Sequence, residues 1–119
     1  MYEITTEAYF CAAHSLLNYE GPCENLHGHN WRVRATVKCE HLDKSGIGVD
    51  FKVLKRRLND ILNEFDHRHL NDVISESPSS ECLARHIYYK LKESLGIDGV
   101  CVARIEVQET PGNSAAYYE

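Results

Sequence analysis

The chain has 119 residues, 43% hydrophobic and 26% charged, which fits a single domain over residues 1–119. A formal charge of −5 argues against a general nucleic-acid or anionic-membrane binder, since both partners demand a basic surface. No apolar run approaches the roughly 20 residues of a membrane span, and the opening Met1-Tyr2-Glu3 lacks a signal-peptide pattern, so the expected compartment is the cytoplasm.

Residues 2–10 alternate Tyr2, Ile4, Thr6, Ala8 and Phe10 against Glu3, Thr5, Glu7 and Tyr9, the period-two signature of a half-buried strand. Residues 31–40 repeat it, with Trp31, Val33, Ala35, Val37 and Cys39 on one face and Arg32, Arg34, Thr36, Lys38 and Glu40 on the other. After the turn-like Asp43-Lys44-Ser45-Gly46, apolar Phe51, Leu54, Leu58, Ile61, Leu62 and Phe65 recur at three- and four-residue steps behind Asp50, an N-cap residue type. A second helix follows Pro78, capped by Ser79 or Ser80, with Leu83, Ile87 and Leu91 as its buried stripe and Gly96 at its end. Residues 100–109 return to alternation, with Cys101, Ala103, Ile105 and Val107 opposing Val102, Arg104, Glu106 and Gln108, and a short last strand spans 115–118.

The order β-β-α-α-β-β separates strands from helices, so the expected class is α+β, an antiparallel sheet with two helices on one face. A chain of this length buries only about two thirds of its unfolded surface, so association between copies is expected to help. Five widely spaced cysteines with no C-x-x-C pair suit neither a disulfide framework nor a zinc ribbon, and are read as mostly buried thiols.

His27-Gly28-His29 puts two imidazoles on one face of extended backbone, and His14 ends the preceding strand where it can come alongside. Three imidazoles with no fourth protein ligand fit a catalytic zinc site, whose open position takes water or a substrate oxygen. By spacing alone, the same residues also fit ordinary histidines at a strand entrance. Cys23, four residues before His27, would be near enough for a metal's charge to favour its thiolate, a usable base. Asp66-His67 fits a carboxylate-oriented imidazole that moves protons, and equally a helix C-terminal cap. Glu109, followed by Thr110-Pro111-Gly112, places a carboxylate at a loop mouth, suited to accept two N–H bonds from an aminopyrimidine edge, or simply solvated there.

Taken together, Ala12-Ala13-His14, Cys23-Glu24-Asn25-Leu26-His27-Gly28-His29-Asn30, Val49-Asp50-Phe51, Asp66-His67 with Leu70-Asn71, and Glu109-Thr110 resemble the 6-pyruvoyl-tetrahydropterin synthase family. The similarity runs through the whole chain and is greatest to the bacterial branch, the 6-carboxytetrahydropterin synthases of queuosine biosynthesis. It implies a tunnelling fold (T-fold), in which subunits form a trimeric barrel and two trimers stack into a homohexamer with sites at subunit interfaces. It also implies Zn2+ on His14, His27 and His29, Cys23 as the proton-abstracting base, Asp66 and His67 as the partner acid/base pair, and Glu109 with Thr110 at the pterin. The implied substrate is 7,8-dihydroneopterin triphosphate, and the implied products are 6-carboxytetrahydropterin, acetaldehyde and triphosphate.

Two features depart from that pattern. Pro78-Ser79-Ser80-Glu81-Cys82 stands where the family commonly has Pro-Thr-x-Glu-Asn, a change between two competent helix starts. Glu24 lies two residues clear of His27, the position of the base in the folate-linked members, which release 6-hydroxymethyl-7,8-dihydropterin; a dual enzyme with Glu24 as an alternative base is therefore a second expectation. For the triphosphate, Lys52, Lys55, Arg56 and Arg57 compete with Arg32 and Arg34. The readings from other classes are a zinc hydrolase, which leaves Cys23 and Glu109 without roles, and a non-catalytic pterin or purine module, against which Cys23, Asp66 and His67 argue.

Overall fold

The computed structural model describes residues 1–21 and 25–119. Strands β1 (Tyr2–His14) and β2 (His27–Cys39) pair antiparallel along their full length, from Tyr2 opposite Cys39 to His14 opposite His27. Thirteen residues at about 3.3 Å each make arms of about 43 Å. They account for most of the molecule's long dimension of 53 Å, against 25 and 24 Å across.

Helix α1 (Phe51–Leu62) and the two-residue strand β3 (Arg68–His69) follow, then the single turn α2 (Leu70–Val73) and helix α3 (Ser80–Ser94). Strands β4 (Val100–Thr110) and β5 (Asn113–Tyr117) complete a five-stranded sheet in the order β3-β1-β2-β4-β5, antiparallel except for the β3–β1 pair. The α+β reading stands, with two longer helices over one face; β3 and α2 had no period in the sequence to announce them. No helix among the described residues is long and apolar enough to cross a membrane.

Alternation fills the core. Ala8, Phe10 and Ala12 of β1 and Trp31, Val33, Ala35 and Val37 of β2 are buried against Leu54, Leu58 and Leu62 of α1 and Leu83, Ile87 and Leu91 of α3. Phe10 stacks on Trp31 with ring centroids 5.8 Å apart, and the indole N–H donates to the Ala12 carbonyl at 3.2 Å. Each of the larger apolar side chains contributes about 1.5–3 kcal/mol by leaving water. Asp50 caps α1 as the sequence indicates, its Oδ1 accepting the Lys52 N–H at 2.8 Å, and of the two serines open as the cap of α3 it is Ser79 whose Oγ accepts the Cys82 N–H, at 3.1 Å.

Three expectations are corrected. Strand β4 carries a bulge: Thr36 faces Arg104 but Val37 faces Val102, so Ala103 is an extra residue and the inward phase jumps. Val102 is buried in consequence, and Cys101, expected inside, is exposed. Cys11 is also exposed and Cys82 half-buried, so of the described thiols only Cys39 fits the buried reading. Phe51, placed on the α1 stripe by spacing, is instead largely solvent-exposed, in the first turn ahead of the part of the helix that meets the sheet.

Candidate metal centre and acid/base pair

The period that buries the core also builds the site. Beyond Phe10 and Ala12 the inward position of β1 is His14; beyond Trp31 the inward positions of β2 are His29 and His27. On β4, Glu109 follows Ile105 and Val107 in the same inward sequence. The apolar core thus ends in a polar cluster in which one donor atom from each of His14, His27, His29 and Glu109 lies within 4.8 Å of the others.

Backbone carbonyls hold two of these rings. His14 Nδ1 donates to the Pro78 carbonyl and His27 Nδ1 to the Asn25 carbonyl, both at 2.7 Å. Because a carbonyl only accepts, the proton of each neutral ring sits on Nδ1, leaving a lone pair on Nε2. Those two Nε2 atoms are 3.0 Å apart, where bare lone pairs repel unless a cation or a shared proton lies between them. His29 Nε2 is buried, and the group nearest to it is Glu109 Oε1 at 2.7 Å. The donor set, with two lone pairs turned toward each other, fits a divalent metal of borderline softness, for which imidazole and carboxylate are suitable ligands. Burial holds the His29 imidazole below its usual pKa, with Glu109 opposing, so the neutral, ligating form is favoured.

Glu109 is also freed from its neighbour strand. Gln108 pairs with Ser114 and Thr110 with Asn113, so Glu109 is the extra residue of a second bulge in β4. Such bulges re-aim side chains next to active sites. Thr110 stands at the following turn, its hydroxyl accepting from Asn113 Nδ2 at 3.0 Å.

Asp66 and His67 lie elsewhere. Asp66 Oδ1 accepts the Cys11 N–H at 2.9 Å, and the His67 N–H donates to the Cys11 carbonyl at 2.6 Å, so the pair is stitched to β1 just before its β3 pairing begins. His67 takes φ 57° at this point, and its ring Nδ1 is 3.0 Å from Asp66 Oδ2. The Cys11 N–H, aided by His67, holds the Asp66 carboxyl below its usual range, so it stays ionised and orients the ring. The His67 side chain is 80% exposed, against 1% for His14. It shares with Cys11, Asn30 and Arg68 a shallow groove of about 500 Å³ that passes Gly28 and His29. Cys11 and Asn30 face each other in the register and alternate with the inward histidines, so they belong to the opposite face of the sheet. Among the described residues, no hydrogen bond or ion pair joins Asp66 or His67 to the three histidines. Cys23 and Glu24 lie outside the described residues.

Sequence reasoning brought together the three histidines but did not place the Glu109 carboxylate against them. That contact depends on the β2–β4 register and on the bulge, neither of which is written in the alternation itself.

The sequence profile of 6-pyruvoyl tetrahydropterin synthase matches residues 3–119. The chain belongs to that family. A curated relative in Synechocystis sp., a 6-carboxy-5,6,7,8-tetrahydropterin synthase, is 40% identical over 99% of this chain and 94% of its own. A dihydroneopterin monophosphate aldolase of Pyrococcus furiosus is 34% identical over 77% of this chain and 76% of its own. Among solved structures, the Caenorhabditis elegans 6-pyruvoyl tetrahydropterin synthase superposes with a TM-score of 0.85 at 27% identity, covering 100% of this chain and 97% of that one. The protein is an enzyme of the tetrahydropterin synthase family with the T-fold, and its His/His/His/Glu cluster is able to hold a metal.

Proposed function

We propose that this enzyme is a zinc-dependent carbon–carbon lyase of the 6-carboxytetrahydropterin synthase type, serving queuosine biosynthesis. It would take 7,8-dihydroneopterin triphosphate and water to 6-carboxytetrahydropterin, acetaldehyde and triphosphate. The observation that carries this reading is the convergence of three imidazoles at the polar end of the core in a chain so similar to the Synechocystis enzyme.

His14, His27 and His29 would hold the zinc, which when bound supplies positive charge that acidifies the hydroxyls and adjacent C–H bonds of a polyol side chain. Cys23 acts as the base for a C–H proton, its thiolate favoured by that charge. His67, oriented by ionised Asp66, carries the second proton between substrate atoms. Glu109 and Thr110, expected at the pterin, would meet the substrate at its reacting side chain, since the Glu109 carboxylate stands beside the three imidazoles.

The acid/base pair of one copy serves the metal site of another. The exposed edge position of His67, with the histidines turned to the opposite face, supports this sharing, and a homohexamer built as a dimer of trimers would provide it.

Incubation of the zinc-loaded protein with 7,8-dihydroneopterin triphosphate, followed by mass spectrometry of the pterins, tests the reading. Carboxytetrahydropterin with acetaldehyde is the expected outcome; 6-pyruvoyl-tetrahydropterin, or no turnover, contradicts it. The aldolase relative favours a second reading in which Glu24 gives 6-hydroxymethyl-7,8-dihydropterin beside the main product. Its disappearance in Glu24→Ala would establish that branch, and an unchanged product ratio would remove it.

A further inference from the structure

The segment from α2 to the start of α3 takes hold of the chain where it leaves β1. The Pro78 carbonyl accepts from His14 Nδ1 at 2.7 Å. One residue on, Ser15 is bonded through both of its backbone groups to the side chain of Asn71. Its N–H donates to Asn71 Oδ1 at 3.0 Å, and its carbonyl accepts from Asn71 Nδ2 at 2.9 Å. The Leu17 N–H then donates to Ser77 Oγ, also at 3.0 Å.

Asn71 does there what a neighbouring strand would do. The parallel ladder of β3 and β1 pairs Arg68 with Ala12 and His69 with Ala13, and it stops where the chain turns into α2. A primary amide offers one acceptor oxygen and an N–H donor, as a peptide group does, so Asn71 gives Ser15 the pairing that β3 no longer supplies. Leu70 and Ile74, both buried in the core, secure α2 on either side of it.

The hold falls at the start of the connection that carries Cys23. Residues 15–26 join β1 to β2, leaving beside His14 and returning past Asn25, whose carbonyl accepts from His27 Nδ1. Directly beyond the Ser77 contact, Asn18 takes φ 56° and turns the chain. One segment thus orients a metal-ligating ring and fixes the origin of this connection. A displacement of about 1 Å, caused far from the chemistry, is able to cost about 10²-fold in rate.

We propose that Asn71 is a positioning residue: by holding Ser15 it sets the start of the connection that brings Cys23 to the metal. The part given to Cys23 rests on the reaction proposed above; the hold on Ser15 does not. His14 itself stays in register opposite His27 and bonded to Pro78 without Asn71, so the metal site is expected to survive its loss.

Iodoacetamide labelling, read by peptide mass spectrometry, follows Cys23 separately from the other cysteines. In the parent its rate at Cys23 should differ at least threefold between zinc-free and zinc-loaded protein, because a nearby metal changes a thiol's charge and access. In Asn71→Ala that ratio should fall to about one, with zinc bound at full stoichiometry and an unchanged circular dichroism spectrum. Asn71→Asp keeps the acceptor for the Ser15 N–H and loses the donor, so it should fall between; it carries the comparison if the alanine variant does not fold. With 7,8-dihydroneopterin triphosphate, kcat of Asn71→Ala should drop about 10–10²-fold at little-changed KM. In a Cys23→Ser background the same change should cost nothing further, since the group to be positioned is gone. A parent ratio of one, an equal ratio in parent and variant, zinc lost from Asn71→Ala, or losses that multiply in the double variant would each overturn the assignment. A parent that gives no turnover would refute the proposed reaction, while the labelling ratios still decide whether Asn71 positions Cys23.

Discussion

The three histidines and the Asp66-His67 pair both depend on β1, yet they are built in opposite ways. The histidines continue the buried face of the sheet, abut Trp31, and have two rings pinned by backbone carbonyls. The acid/base pair hangs on the edge of the same strand by two backbone hydrogen bonds, with its imidazole in solvent. A metal site must hold several donors within tenths of an ångström, which packing and orienting hydrogen bonds achieve. A proton carrier must instead reach a substrate that arrives from outside, and an exposed ring whose partner keeps it oriented is suited to that. One candidate half is assembled within the chain; the other stands exposed at the groove.

The contrast can be broken experimentally at either half. His29→Ala should lose stoichiometric zinc, and turnover with it, as metal analysis beside an activity assay would show. His67→Ala should lower turnover by about 10²–10⁴ while retaining full zinc content. If both variants lost zinc, the separation drawn here would be wrong.

The rigidity of the histidine half can be tested through the core behind it. Phe10→Ala, which removes the ring stacked on Trp31, should cost about 3–5 kcal/mol in a urea melt and weaken zinc binding along with it. Ser79→Ala removes the N-cap of α3, just beyond the Pro78 carbonyl that orients His14, and should cost about 1 kcal/mol. A Ser79→Ala protein as stable as its parent would mean that the first turn of α3 is held by packing alone.

The smallest effect concerns pH. Burial against Phe65 lowers the pKa of His86, with Lys90 adding to the shift and Glu76 and Glu64 opposing it. The unfolded chain then binds the extra proton more readily, so the stability this site contributes is complete above the ordinary value of 6.5 and is lost as pH falls below it. Thermal melts between pH 7.5 and 5.5 should show a shallow decline that His86→Gln flattens. An identical slope in both proteins would assign the decline to other groups.

Much of the fold was legible because its alternation is strong: the two long strands, both longer helices and the cap Asp50 follow from period and cap chemistry, while the choice of Ser79 over Ser80 did not. The lengths were not legible. Strand β1 runs on to His14 because Ala12 and His14 keep the inward phase, although neither carries strand propensity of its own. Strand β3 and α2 are too short to show a period, and β3 is defined by its pairing with Ala12 and Ala13, more than fifty residues away. The two bulges of β4 were equally hidden, since one extra residue leaves no local mark; one of them exposes Cys101 and the other frees Glu109. Hence the histidines were found from their spacing, while the contact of Glu109 with them depended on a register set by the whole sheet.

Subunit complementation tests the central claim most directly, that the acid/base pair of one copy completes the metal site of another. His29→Ala and His67→Ala chains, each inactive alone, would be co-expressed with different tags and purified as mixed assemblies. If each site draws its zinc ligands from one copy and His67 from a neighbour, random mixing restores about a quarter of the sites, and turnover per site should recover to that level. Mixed assemblies as inactive as their parents would place both halves of the site within one chain and contradict the account.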